Sequence, residues 1–219
     1  MKHCLEIDSV ILEFDRKRVL QDVYLKCETG YVTGLLGRNG TGKTCLMNIL
    51  YGVLTPNDRS IRIDGKALYD KKRDPFTMRY MPQFSFIPKS LTVKRVFGDF
   101  KLDFAVFTHV FPEFKAHYNT PIKKLSGGEK RVIEVYAILT AETKFCMLDE
   151  PFSHVMPIHV DRLIKLIKDE KKNKGIIITD HMYSHITPIA DQLYLITDGK
   201  THRINEPEEL VAFGYISPA

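Results

Sequence analysis

The chain has 219 residues, 44% of them hydrophobic and 27% charged, with a formal net charge of +5. That length can bury a full core in one domain, and the balance is that of an ordinary soluble globular protein. No run approaches the roughly 18 consecutive apolar residues of a membrane span, Glu6 and Asp8 interrupt any signal-peptide stretch, and the four scattered cysteines form no CxxC pair, which fits a reducing cytoplasm rather than a zinc site or disulfide framework.

The mild basic excess could face nucleic acid or anionic lipid. A solvated basic surface is the simpler reading, and no nucleic-acid partner is expected. Lys71-Lys72-Arg73 and Lys171-Lys172-Asn173-Lys174 are the main clusters, both expected in exposed loops.

In chain order, residues 5–14, 23–27 and 31–36 read as strands. The third runs into GRNGTGKT at 37–44, and 44–51 reads as the helix behind it. Residues 61–64 and 78–81 are further strand candidates. The character then changes over 84–125: eight of the thirteen phenylalanines lie between Phe84 and Phe114. Phe97, Phe100, Phe104, Phe107, Phe111 and Phe114 follow in steps of three and four, which lines one face of a helix. Gly98 and Pro112 are expected to break it into shorter pieces. The packed core of a small helical subdomain is the preferred reading, and a partner-docking face the sharper one.

Further on, 129–139 reads as a helix and 145–148 as a short apolar strand. Residues 158–171 form an amphipathic helix with Val160, Leu163, Ile164 and Ile167 on one side, and 176–179 is a buried-type strand. Alternating strand and helix predict a mostly parallel α/β sheet. The domain expectation is one unit over 1–219, with 84–125 as a helical insertion.

Several segments carry chemistry. A strand, a glycine-rich turn and a helix are the context a phosphate-binding loop requires. Gly37, Gly40 and Gly42 let backbone N–H groups turn toward phosphates, and the helix N-terminus adds partial positive charge. Arg38, Asn39, Thr41 and Cys45 complete the nucleotide-binding segment. Lys43 is placed to reach the β- and γ-phosphates, and the Thr44 hydroxyl to ligate Mg²⁺. Asp149 ends an apolar strand, where a carboxylate can hold Mg²⁺ through water. The adjacent Glu150 can polarise the attacking water as a general base. Ser126, Gly127, Gly128 and Glu129, in LSGGE, form a second anion-binding turn at a helix start.

In order over about 14–209, GRNGTGKT, Gln83 in YMPQ, LSGGE at 125–129, FCMLDEP at 145–151 and His181 resemble the ATP-binding cassette of ABC transporters. The resemblance implies a P-loop NTPase of ABC type: a mostly parallel α/β core, an antiparallel β subdomain and a small helical subdomain. It implies ATP and Mg²⁺ as cofactors. Glu150, His181, Lys43 and Gln83 would be the catalytic residues, and Thr44, Gln83 and Asp149 the metal-binding ones. Gln83 would contact metal and water, His181 the γ-phosphate and the general base, and Phe14 the adenine ring. The LSGGE turn would face the ATP of a second cassette, identical or different, in a head-to-tail dimer. A separate transmembrane permease would dock near Gln83 and residues 84–118. The chain would then lie in the cytoplasm, peripheral on the inner face of the cytoplasmic membrane. Its function would be ATP hydrolysis driving substrate movement. The alternatives are an ATP-gated module with little turnover and a soluble nucleic-acid-associated ATPase. A zinc pair of His181 and His185 lacks the HExxH glutamate, since position 182 is methionine.

Two positions depart from the family pattern. Met156 stands where an aspartate usually links the two sites of the dimer. Tyr136-Ala137-Ile138 stands where an Ala-Arg-Ala segment is usual. The stretch LDEPFSHVMPIHV, with ITDH later, is most similar to the ATPase of lipopolysaccharide-export systems and its branched-chain amino-acid importer relatives.

Overall fold

The computed structural model describes residues 2–69 and 73–217. Its central sheet contains β4 (Val32–Leu36), β7 (Met78–Met81), β8 (Phe145–Asp149), β9 (Gly175–Thr179), β10 (Gln192–Thr197) and β11 (Lys200–Ile204). The strand order is β11-β10-β4-β9-β8-β7. Every pairing is parallel except β10 with β11. The strands VTGLL, FCMLD and GIIIT are buried along their whole length. Near-continuous apolar runs belong in parallel strands covered on both faces, and this sheet is so covered.

A second sheet is antiparallel. β1 (Cys4–Phe14) pairs with β2 (Lys17–Leu20), β3 (Tyr24–Glu28) and β5 (Asp58–Ile63), and β5 with β6 (Lys66–Ala67). Leu5 and Ile7 point inward, while Glu6 and Asp8 stay partly open. Arg62, opposite Glu6 in register, closes on Asp8 at 2.6 Å. Between the sheets lies α1 (Lys43–Tyr51), whose Leu46, Met47 and Leu50 join Leu5, Ile7, Leu25 and Ile196 in one apolar cluster. Both sheets therefore hold the helix that follows the glycine loop.

The aromatic stretch forms α2 (Val93–Asp99), α3 (Phe104–Val110) and two 3₁₀ turns, Pro112–His117 and Ile122–Lys124. Phe97, Phe107, Phe111 and Phe114 are buried, and Phe100 and Phe104 pack against the same cluster. The spacing thus marks a core. Pro112 does end a helix, but Gly98 does not: it lies inside α2, and the chain turns instead at Lys101, with φ 56°. The core closes on α4 (Gly127–Leu139), whose Tyr136 ring lies 4.8 Å from Phe107 and 6.0 Å from Phe97. Tyr136, Ala137 and Ile138 are all buried in this core.

The basic clusters are not simply exposed. Lys71 and Lys72 lie outside the described residues, and Arg73 is buried, its Nε donating to the Leu50 carbonyl. Lys174 is buried too, and its Nζ donates to the Leu139 and Ala141 carbonyls at 2.7 and 2.8 Å. A cation at the C-terminal end of α4 satisfies carbonyls that the helix leaves open. The remaining elements are α5 (Pro157–Glu170), α6 (Tyr183–Ile186) and α7 (Pro207–Ala212).

Candidate nucleotide site

The glycine loop bridges β4 and α1. Gly42 caps α1 in the left-handed region at φ 101°, and a Cβ there would come within 2.8 Å of Leu20 Cδ2. No other residue meets both conditions without strain. Lys43 is buried, and its Nζ donates to the Gly37 and Arg38 carbonyls at 2.6 and 3.0 Å. Burial lowers its pKa, against the pull of Glu150, Asp149 and Asp180. The Arg38 carbonyl also accepts from the Thr41 N–H and hydroxyl. A cavity of about 300 Å³ opens over the loop. Asn39, Gly40, Gly42, Lys43, Thr44 and Cys45 line it from one side, with Val19, Gln83 and Glu150 completing the wall.

Asp149 stands behind this cavity, fully buried at the end of β8. Its carboxylate accepts from the Tyr80 hydroxyl and the Thr179 hydroxyl, each at 3.1 Å. Burial raises its pKa, and the nearby Thr44, Thr179 and Tyr80 hydroxyls oppose that rise. Glu150 holds φ 51°, a costly conformation for a residue with a Cβ. Its N–H donates to the Thr179 carbonyl at 2.8 Å, and its Oε2 accepts from the Ser153 hydroxyl at 3.2 Å. His181 Nδ1 lies 3.9 Å from Glu150 Oε2 and 3.4 Å from Asp180 Oδ1. Asp180 is buried, which raises its pKa.

Ser126 caps α4. Its hydroxyl accepts from the Glu129 N–H, and the Glu129 carboxylate accepts from the Ser126 N–H, a reciprocal capping box. A Cβ on Gly128 would sit 2.6 Å from the His154 carbonyl oxygen, so the chain after Glu150 passes directly over the turn. Ser126 and Gly127 are exposed, and none of residues 126–129 lines the Lys43 cavity. The fold therefore gathers Lys43, Thr44, Gln83, Asp149, Glu150 and His181 at one place. It leaves the LSGGE turn outside.

Phe14 stands at the end of β1, 48% exposed; Val19, on the paired strand, lines the cavity instead. Arg38 points away from the cavity, and its Nη2 donates to the Gly214 carbonyl at 2.5 Å. The Tyr215 hydroxyl reaches the His181 carbonyl at 3.5 Å. The segment after α7 thus braces the far side of the loop, a contact without a motif to announce it. Tyr80, Thr179 and Arg131 also escaped sequence reasoning. Arg131 is buried and donates to the Pro82, Asp149 and Glu150 carbonyls.

Among the described residues no three His, Cys, Asp or Glu side chains converge as a metal cage. The Thr44 hydroxyl, Asp149 carboxylate and Gln83 amide offer oxygen donors beside a phosphate-sized cavity. That suits Mg²⁺, which takes one or two protein oxygens and shares the rest with water and phosphate. No helix among these residues is long and apolar enough to cross a membrane.

The profile of the family described as ABC transporter matches residues 20–153. The lipopolysaccharide export system ATP-binding protein LptB of Acidithiobacillus ferridurans is 29% identical over 96% of this chain and 93% of its own length. A probable ABC transporter ATP-binding protein of Azorhizobium caulinodans is 30% identical, over 90% of this chain and 75% of its own. A solved structure of an ATP binding subunit of an ABC transporter superposes with a TM-score of 0.81 at 21% identity, covering 98% of this chain and 95% of that one.

Proposed function

The chain belongs to the ABC transporter family, and from that premise we propose how its residues divide the work. It is an ATP-binding, ATP-hydrolysing subunit of a transporter. In our reading 1–219 is a single cassette with 84–125 as its helical subdomain.

Lys43 and the amides of 37–44 hold the phosphates, and Phe14 stacks on adenine. Thr44, Gln83 and Asp149 would hold Mg²⁺, which when bound would neutralise phosphate charge. Glu150 takes a proton from a water whose oxygen attacks the γ-phosphorus. The bond to the β–γ bridging oxygen breaks, leaving ADP and phosphate. His181 orients Glu150 and contacts the γ-phosphate. Ser126, Gly127, Gly128 and Glu129 act on ATP held by a second cassette, and Lys43 with the opposing Ser126 stabilises transition-state charge. The observation that carries this reading is the shared cavity wall of Lys43, Thr44, Gln83 and Glu150, with the LSGGE turn exposed away from it.

The membrane partner docks beside Gln83, where Phe84 is 74% exposed, and along 84–118. The chain then works at the inner face of the cytoplasmic membrane. Steady-state ATP hydrolysis against protein concentration tests the composite site, beside Glu150→Gln. The rate per subunit should rise with concentration and vanish in the variant. A rate per subunit independent of concentration would contradict a site shared between two cassettes.

A further inference from the structure

Glu150 keeps a left-handed backbone at φ 51°, next to a buried carboxylate. Such a conformation persists only where the surroundings over-determine it. The Thr179 carbonyl fixes the Glu150 N–H from β9. The carbonyl side is fixed from α4. Arg131 Nη2 donates to the Asp149 carbonyl at 2.5 Å and to the Glu150 carbonyl at 2.9 Å. The other arm of the same guanidinium, Nη1, donates to the Pro82 carbonyl at 2.9 Å, immediately before Gln83. Glu134, one turn on and also buried, lies 3.6 Å from Arg131 Nη1. Its Oε1 accepts from the Ser85 hydroxyl at 2.5 Å and the Phe86 N–H at 3.2 Å, on the far side of Gln83.

We propose that Arg131, held by Glu134, is the positioning residue that sets Glu150 and Gln83 in mutual register from the helix carrying the LSGGE turn. This rests on Glu150 being the base. The planar fork of arginine spans carbonyls on two different segments, and the single ammonium of lysine does not. A shift of α4 therefore moves the loop before and after Gln83 and the backbone of Glu150 together. Neither residue touches the nucleotide cavity, so the pair acts through Gln83 and Glu150 and not on phosphate.

The test compares the full-length chain with Arg131→Lys, Glu134→Gln and Glu150→Gln. Turnover, ATP affinity and amide hydrogen exchange are read for each. Arg131→Lys should lower kcat by about 100-fold, the effect of a small misplacement of a reacting group. ATP affinity should stay within about 3-fold, since only an interaction of the transition state is lost. Amide exchange should rise in 83–86 and 150–153 together. Unchanged kcat, with unchanged exchange in those two segments, would overturn the proposal. So would a uniform rise in exchange with a parallel loss of ATP binding, which marks a merely structural arginine. Should Arg131→Lys fail to fold, Glu134→Gln decides by the same readouts. It keeps an acceptor for Ser85 and Phe86 but removes the charge that holds Arg131. A Glu150→Gln chain that still turns over would sink the assignment of the base itself. Loss of turnover there, with wild-type turnover in Arg131→Lys, would sink the positioning role alone.

Discussion

Met156 is one of the two positions expected to depart from the family pattern, and the structure gives it a local consequence. It occupies the N-cap of α5 and offers no side-chain acceptor to the first turn, while its side chain is 55% exposed. Met156→Asp should supply that acceptor and stabilise the fold by about 1 kcal/mol. Thermal unfolding should then move up by about 2–4 °C for a chain of this size. An unchanged midpoint would mean that the aspartate does not cap α5. If the position also links the two sites, the Hill coefficient for ATP should change in the same variant. Gly128 makes a second test. With a Cβ 2.6 Å from the His154 carbonyl, Gly128→Ala must push the LSGGE turn from the chain after Glu150. Turnover should fall by about 10-fold or more through misplacement of a group acting on the opposing ATP. ATP binding by the single chain should persist, and a variant defective in binding alone would contradict that division. At this scale, legibility follows sequence distance. Lys43 and Thr44 sit in one contiguous motif, and Asp149 and Glu150 in another, so their roles can be read from neighbours. Tyr80 and Thr179 reach Asp149 only because β7 and β9 flank β8, with Thr179 opposite Asp149 in register. No local pattern encodes that pairing.

Among the elements, the helical layer depends on its phenylalanines. Phe107 is fully buried and touches the rings of Phe97, Phe104, Phe111, Phe114 and Tyr136. Phe107→Ala should cost about 3–5 kcal/mol. Denaturant unfolding should show the loss; one below about 1 kcal/mol would mean that the layer contributes little to the cooperative core. Lys174→Met removes the cation from the end of α4 and leaves two buried carbonyls without their donor, for about 1–3 kcal/mol. A midpoint equal to that of the unmodified chain would show that water replaces the ammonium. Periodicity revealed the buried face at 97–114 but not its segmentation, because φ at Lys101 is set by tertiary packing rather than by a local breaker. The last hairpin has a local signal of its own. Asp198-Gly199, at φ 50° and 75°, is a strong turn signal between an apolar run and a polar strand. Residues 192–204 carry no chemical motif, so only this turn signal marks them in the sequence.

At the scale of the molecule, two sheets clamp α1 and thereby fix the phosphate loop, while α4 carries both the exposed LSGGE turn and the arginine behind Glu150. Half of each proposed catalytic site therefore points out of the chain. A second copy, turned head to tail, would place its turn over this cavity, and closure on ATP would be the step that moves the membrane partner. Removing hydrolysis without removing binding isolates that step. The decisive measurement is the solution mass of Glu150→Gln in saturating ATP and Mg²⁺, by light scattering. Twice the 25.3 kDa monomer mass, reverting on removal of nucleotide, is the result predicted. A chain that binds ATP and stays at the monomer mass would contradict a site shared between two copies of this chain.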